Sequence, residues 1–487
     1  MHLSLADFHP AADGETLDTA VLQRAIDQIA AAGGGGLTLP AGRYRSGCLN
    51  LPSHFELHLE AGAVLLASQR QADYQRFQTL SSAEKSHNVL LYALGQRNLT
   101  ISGKGCIDGD GETWFAVERD AQGYRLPRPD RPRLIVFEAC EQVTLEGVTI
   151  VQAPMWTVHL VSCRHVHIDR LTIDNAMTMP NTDALDIDSC EAVFVSNSYL
   201  SAADDAICIK TTLKPDALRR PARQITVSNC QLRSDSCAFK IGTETFDDIE
   251  DVTVTNCTLF DSNRGIGILS RDGGAMRRLL FSHLTFVCHY APPCHWGKAD
   301  PLFVSVRPRD PAVRPGQVEQ LQFTQASGIA EGAINLHAVR PGDIRDVLLA
   351  DVQLRQVVSR DSAQGQFDIR PPCNPDAPTG MGLDNAWKLD PATGEAFGVE
   401  RYPGGLPALF ARGVENLRWH HLTVERPEPL PPGWNPELFV IDQALSAAAI
   451  AAPSASVLAS PPRSRVRHSP CASVRSMASS TASPAAL

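Results

Sequence analysis

The 487-residue chain has no apolar run of the roughly 20 residues needed to cross a bilayer. Met1 to Pro10 also lacks the basic start and the apolar stretch of roughly 7 to 15 residues that mark a secretory leader. As written, the chain is expected to stay in the cytoplasm; a start further upstream would make it secreted or periplasmic. Positive charge is in deficit, 44 Lys and Arg against 54 Asp and Glu for a net charge of -10. That field excludes nucleic acid and an anionic membrane surface as partners. It fits a polyanionic ligand only if a cleft gathers its own cations. Oligomeric state is left open. The 13 cysteines show neither a CxxC pair nor a Cys/His spacing of the zinc kind. Several recur at matching places in a repeat, which points to buried packing thiols rather than disulfides.

With 43% hydrophobic and 20% charged residues, the chain can bury a large core. Thr16 to Ala32 places Leu17, Val21, Leu22, Ala25, Ile26 and Ile29 at helical spacing and ends in the run Gly33 to Gly36, so one amphipathic helix is expected there. The period then changes to two, in Leu37-Thr38-Leu39 and Phe55-Glu56-Leu57-His58-Leu59, and strands follow. CEQVTLEGVTI from Cys140, CRHVHIDRLTI from Cys163 and CEAVFVSNSYL from Cys190 align without gaps, and QITVSNCQL from Gln224 and DVTVTNCTL from Asp251 continue them. Val143, Val166, Val193, Ile225, Val252 and Leu279 become equivalent, at steps of 23, 27, 32, 27 and 27 residues. Such units are too short to bury an apolar face alone and must stack on their neighbours. They lack the LxxLxLxxN pattern of leucine-rich repeats and the length of about 40 residues of propeller blades. The expected fold is all-β: a right-handed parallel β-helix with an N-terminal capping helix. The cap spans 1–36, the β-helix 37–443, and an Ala/Ser/Pro/Arg-rich tail at 444–487 reads as disordered. Inserts at 108–132, 286–301 and 358–410 break the repeat and are expected to build a binding face.

Two acidic clusters fall in the most regular part: Asn181-Thr182-Asp183-Ala184-Leu185-Asp186-Ile187-Asp188 and Ala203-Asp204-Asp205-Ala206-Ile207. Asp183 and Asp204 are 21 residues apart, close to one coil. A coil returns the chain to the same wall one rung higher, about 4.8 Å away, so the three carboxylates can share a patch. Crowding raises the pKa of one of them, and glycoside hydrolysis needs that asymmetry of acid and base. Aspartates that cap turns or bind Ca²⁺ would give the same spacing.

NTDALDIDSC (181–190) followed by DDAICIK (204–210) resembles the paired signature of glycoside hydrolase family 28, the polygalacturonases and rhamnogalacturonan hydrolases. LTLPAGRY (37–44), LHLEAGAVLLAS (57–68) and LTISGKGCIDGDG (99–111) resemble that family's entry coils. The resemblance implies Asp204 as general acid, Asp183 and Asp205 as the pair that activates water, inversion at the anomeric carbon, and neither metal nor organic cofactor. Asn181 belongs to the motif, and Lys210 matches a lysine of the family strand. Where the family carries GHG and RIK motifs that grip a uronate, this chain has Cys237 at the histidine position and Gly267 and Leu269 at the Arg and Lys positions. Relocated cations are therefore sought in Lys240, Arg264 and Arg271, and Glu244 is a candidate for the hydroxyls of a neutral sugar. Trp296 and Lys298 of the insert could stack on and pair with the sugar. The expected activity is cleavage of galacturonosyl linkages in pectin or its oligosaccharides, with exo action possible. The alternatives are a rhamnogalacturonan or galacturonide hydrolase and a non-catalytic carbohydrate-binding β-helix. A Ca²⁺-dependent pectate lyase would differ by an unsaturated, ultraviolet-absorbing product.

Overall fold

The computed structural model describes residues 1–119, 124–291, 295–359, 364–385 and 388–442. The expected tail at 444–487 and Cys294 lie outside the described residues. What is described is a right-handed parallel β-helix with three walls. One wall is a 12-stranded parallel sheet that starts at Leu49–Asn50 and ends at Phe439–Asp442. After each of its strands the chain turns into a second wall, as in Glu141–Glu146, and then a short third, as in Thr149–Val151. Farther along, second and third walls merge into single bent strands such as Ile249–Ser262 and Met276–Cys288.

The aligned apolar positions pair rung on rung: Val143 with Val166, Val166 with Val193, then Ile225, Val252, Leu279, Leu321, Val347 and Leu417. The unequal steps therefore differ only in loop length, and the register of the wall is constant. Just before this column the chain passes through a left-handed residue on every rung, among them Gln142 (φ 59), His165 (φ 55), Ala192 (φ 56), Gln224 (φ 57) and Arg278 (φ 58). Alanine and arginine disfavour that region. The corner between the first and second walls demands it, and the stacking on both sides of the corner outweighs the local cost. A second corner is braced by a ladder in which Asn229 donates to Asn197 (3.3 Å) and Asn256 to Asn229 (2.6 Å). The recurring cysteines line the interior, as in Cys163 and Cys190, and all described cysteines are free thiols.

The helix spans Thr19–Ala31 and buries Leu22, Ala25, Ile26 and Ile29 over the first rungs. It begins later than its apolar spacing suggests. Asp13–Leu17 is instead a strand, paired with Gly42–Ser46, and Leu17 is exposed. The cause is Asp18, whose carboxylate accepts hydrogen bonds from the backbone of Ala11 (2.8 Å) and Ala12 (3.1 Å) and ties the preceding chain into an extended path.

The interior is closely packed, with Phe281 and Phe239 in edge contact at 5.7 Å between ring centroids. Both are fully buried. Phe281→Ala removes this pair and leaves a cavity between rungs; chemical denaturation is expected to show a loss of about 3 to 5 kcal/mol.

Candidate active site

Asp183 and Asp205 occupy equivalent places on neighbouring rungs, each two residues before an entry into the first wall. Leu185 pairs with Ile207, and the Ala184 N–H donates to the Asp205 carbonyl (2.9 Å). The column through this corner runs Trp156, Asp183, Asp205, Cys237, Arg264, Asp300. Asp204 stands one residue outside it. Carboxylate oxygens of Asp183, Asp204 and Asp205 lie within 4.8 Å of one another. All three residues are buried, Asp204 the least so at 8% exposure. Oδ1 of Asp183 and Oδ1 of Asp205 accept no hydrogen bond from any described residue.

Two ammonium groups answer the crowding. Lys240 Nζ donates to Asp205 Oδ2 at 2.6 Å, while Lys210 Nζ is 2.9 Å from Asp186 and 3.6 Å from Asp183. Each also lies over an indole: Lys210 is 3.5 Å from the Trp156 ring centroid and Lys240 is 5.0 Å from that of Trp296. Burial, then the Asp205 charge, pushes the Asp204 carboxyl up to about 7. Asp183 is raised well above the usual range by burial and by Asp204 and Asp186. Burial raises Asp186 to about 6 against the pull of Lys210. Burial opposes the charge on Lys240, yet the surrounding groups, Asp205 first and Asp204 among them, together outweigh it and hold the ammonium well above its ordinary value.

The other expected site residues divide into two groups. Asn181, in a left-handed turn (φ 63), accepts a hydrogen bond from Arg131 Nη2 at 2.8 Å and sits beside the trio. Glu244 feels Lys210, Arg309 and Lys240, which outweigh its burial and lower its pKa. Trp296 is 7% and Lys298 8% exposed, and Lys298 approaches the Tyr290 ring at 5.3 Å. Arg264 and Arg271 do not serve as uronate contacts. Arg264 is 1% exposed, bonded to Asp300 (3.2 Å) and the Asp368 carbonyl (2.6 Å), and stacked on Phe303. Arg271 is fully buried, and its guanidinium is spent on the carbonyls of Ser270, Ser305, Ile369 and Pro371. Both are consumed in fastening the segment at 364–372 onto the first wall.

Comparison with known proteins bears on this corner directly, because residues 35–279, half of the chain and all of the aspartate region, match the glycosyl hydrolases family 28. The chain belongs to that family. It is 30% identical over 279 residues to a probable polygalacturonase of Vitis vinifera, covering 54% of this chain and 56% of that protein. It is 24% identical over 327 residues to the exo-poly-alpha-D-galacturonosidase of Dickeya chrysanthemi, covering 57% and 54%. The chain thus spans about half the length of the curated relatives it matches. Its fold resembles the family 28 exopolygalacturonase of Yersinia enterocolitica, with a TM-score of 0.65 at 19% identity over 95% of this chain and 79% of that one.

Cys237, Gly267 and Leu269, the three positions that depart from the expected motifs, lie side by side in the wall. Cys237 is buried one rung beyond Asp205; a Cβ on Gly267 would stand 2.8 Å from its sulfur and 3.2 Å from Leu269. Leu269 packs with Phe303, Phe367, Tyr402, Phe410 and Trp434. The wall is apolar here, packed against Phe367, Tyr402, Phe410 and Trp434. Toward the other end, Glu138 and Arg133 fasten residues 79–86 over the same wall, through Ser81 N (2.7 Å) and Thr79 Oγ1 (2.6 Å). The two covers meet where Leu383 N–H donates to Glu84 (3.3 Å) and Lys85 lies 3.6 Å from Asp384.

Glu84, Arg131, Trp156 and Asp186 escaped the sequence reading. Asp186 lay in the quoted motif, and its outward place on an alternating strand was a usable signal. Glu84 is raised to about 7 by burial, with Glu244 adding to the effect, and faces the charges of Arg131 and Lys210. Behind the site, Asp188 binds Lys214 (2.6 Å) and lies 3.3 Å from His159, a buried group that burial holds at about 4. The trio is also a donor set of the kind that takes a divalent cation, as is the exposed group Asp351, His420 and His421. At the trio, however, the lysines already supply the positive charge at carboxylate oxygens.

A carboxyl that burial raises destabilises the fold once it ionises. The folded form binds the Asp204 proton more tightly than the unfolded chain, so its contribution is present at low pH and is lost as pH rises from about 4 through about 7. Asp204→Asn is therefore expected to melt higher than the wild type at pH 8, with the difference shrinking toward pH 4, in thermal scans at both pH values.

Proposed function

We propose that the protein hydrolyses α-linked galacturonosyl residues of pectin or its oligosaccharides, acting from a chain end. The observation that carries the reading is the meeting of three carboxylates within 4.8 Å, with Asp204 beside two neighbours that Lys210 and Lys240 brace. Asp204 gives its proton to the glycosidic oxygen as the bond to the anomeric carbon breaks. Asp183 and Asp205 take a proton from a water that attacks that carbon from the opposite face, which inverts it. The trio is tighter than the roughly 6.5 to 9.5 Å at which an inverting pair leaves room for water between acid and base. With two bases side by side, the water is placed instead at their Oδ1 atoms, which are buried and accept no hydrogen bond from a described residue. No metal or cofactor takes part. Exo action is supported by the two covers that join across the wall at Glu84 and Leu383, and by the likeness to an exo-acting Dickeya relative.

A second reading within the family also has support. Lys210, Lys240, Arg264 and Arg271 are all engaged inside the protein, so a neutral sugar such as rhamnose suits the leaving-group side better than a second uronate.

Both readings are separated by incubating the protein with polygalacturonate and with rhamnogalacturonan oligosaccharides, with chelator present. Monogalacturonate is the expected product, formed first as the inverted anomer by proton NMR and without ultraviolet absorbance. Asp204→Asn is expected to lose activity by about 10²-fold or more. Release of mixed internal fragments would refute exo action, a retained anomer would refute the water-activating pair, and undiminished cleavage by the variant would refute the acid.

A further inference from the structure

We infer that Lys240 is a positioning residue that fixes the proton of the neighbouring pair on Asp204 by binding the charge of Asp205. The inference rests on the hydrolase reading for its consequence in turnover, but its physical basis is independent of the substrate. Asp204 and Asp205 are adjacent in sequence and can share a proton in either sense. Both lie in the same turn and both are buried.

The Lys240 ammonium makes the distinction. It lies on the next rung, in the outward column Asp186, Cys208, Lys240, Gly267. From there it reaches back to Asp205 Oδ2 at 2.6 Å. Its neighbours fix its direction. Gly267 on the rung beyond offers it no partner, Cys208 on the rung before gives its thiol to the Gly242 carbonyl (3.0 Å), and Trp296 lies 5.0 Å away. Lys210 performs the corresponding service one rung earlier for Asp186 and Asp183. Asp204, Asp186 and Glu244 also face Lys240; Glu244 is 12% exposed and itself 3.7 Å from Arg309. An ammonium so placed is not free to grip a uronate carboxylate, because leaving Asp205 would strand a buried charge.

In turnover, Lys240 neither gains nor loses a proton. It makes the ionised form of the pair a single species, with the acid on the leaving-group oxygen and the base on water.

The test compares wild type, Lys240→Met and Lys240→Arg. The expected result for Lys240→Met is a kcat lowered by about 10- to 100-fold, a KM changed less than threefold, and an acid limb of the pH profile moved up by about one unit. Lys240→Arg keeps the charge and is expected to restore the limb and part of kcat. A variant with a raised KM and unmoved pH limbs would overturn the inference and make Lys240 a substrate contact. A measurement without substrate guards against failure of the hydrolase reading. The carboxyl infrared band that vanishes in Asp204→Asn is expected to titrate at higher pH in Lys240→Met and near its wild-type position in Lys240→Arg. An unmoved band overturns the inference even if no sugar is ever cleaved, and near-equal melting temperatures of the variants show that the fold is intact.

Discussion

Three carboxylates held within 4.8 Å cannot all carry charge, and much of the protein is arranged around that fact. At an effective dielectric of about 20, two charges at this distance repel by roughly 3.5 kcal/mol. Protonating one carboxylate removes two of the three repulsions, about 7 kcal/mol. Keeping a proton on an ordinary aspartate at neutral pH costs about 4 kcal/mol. That repulsion favours a proton in the site, while Lys210 and Lys240 pull the other way on each carboxylate they reach. A surface patch of three aspartates would have spread apart instead. Here their backbones are pinned in the corners of adjoining rungs, so the strain of crowding is expressed as protonation rather than movement.

The stack makes such pinning possible. Each rung repeats a left-handed corner residue, and the apolar columns inside hold the corners in register over the whole described length. The cost of burying Asp183, Asp204, Asp205, Lys210 and Lys240 is thereby borne by a scaffold whose stability comes from elsewhere. Long inserts, fastened by Glu138 and Arg133 on one side and by Arg264 and Arg271 on the other, turn an open wall into a covered cleft.

The periodic part of the molecule was legible in the sequence because register leaves a regular trace. Val143, Val166, Val193 and Ile225 align in the sequence and pair in the wall, despite steps of 23 to 32 residues. The aspartate trio was legible for the same reason, being two motifs one coil apart. Arg264 and Arg271 were misread. Alternation shows that a side chain leaves the core, but not that a segment about 100 residues later covers it. Lys240 was recognised as a cation of the cleft, while its partner depended on a side chain reaching back one rung. Glu84 and Arg131 come from segments with no period at all, so only the folded chain could bring them to the site. The helix start was misplaced because apolar spacing does not register that Asp18 binds the backbone that precedes it.

The claim on which this account turns is that the crowded, buried corner keeps Asp204 protonated well above the range of an ordinary aspartate. The most direct measurement is an infrared titration of the protein labelled with ¹³C-carboxyl aspartate, taken as the difference between wild type and Asp204→Asn. A protonated carboxyl band that disappears with a midpoint near pH 7 is the predicted result. A midpoint near 4, that of an ordinary aspartate, would contradict it.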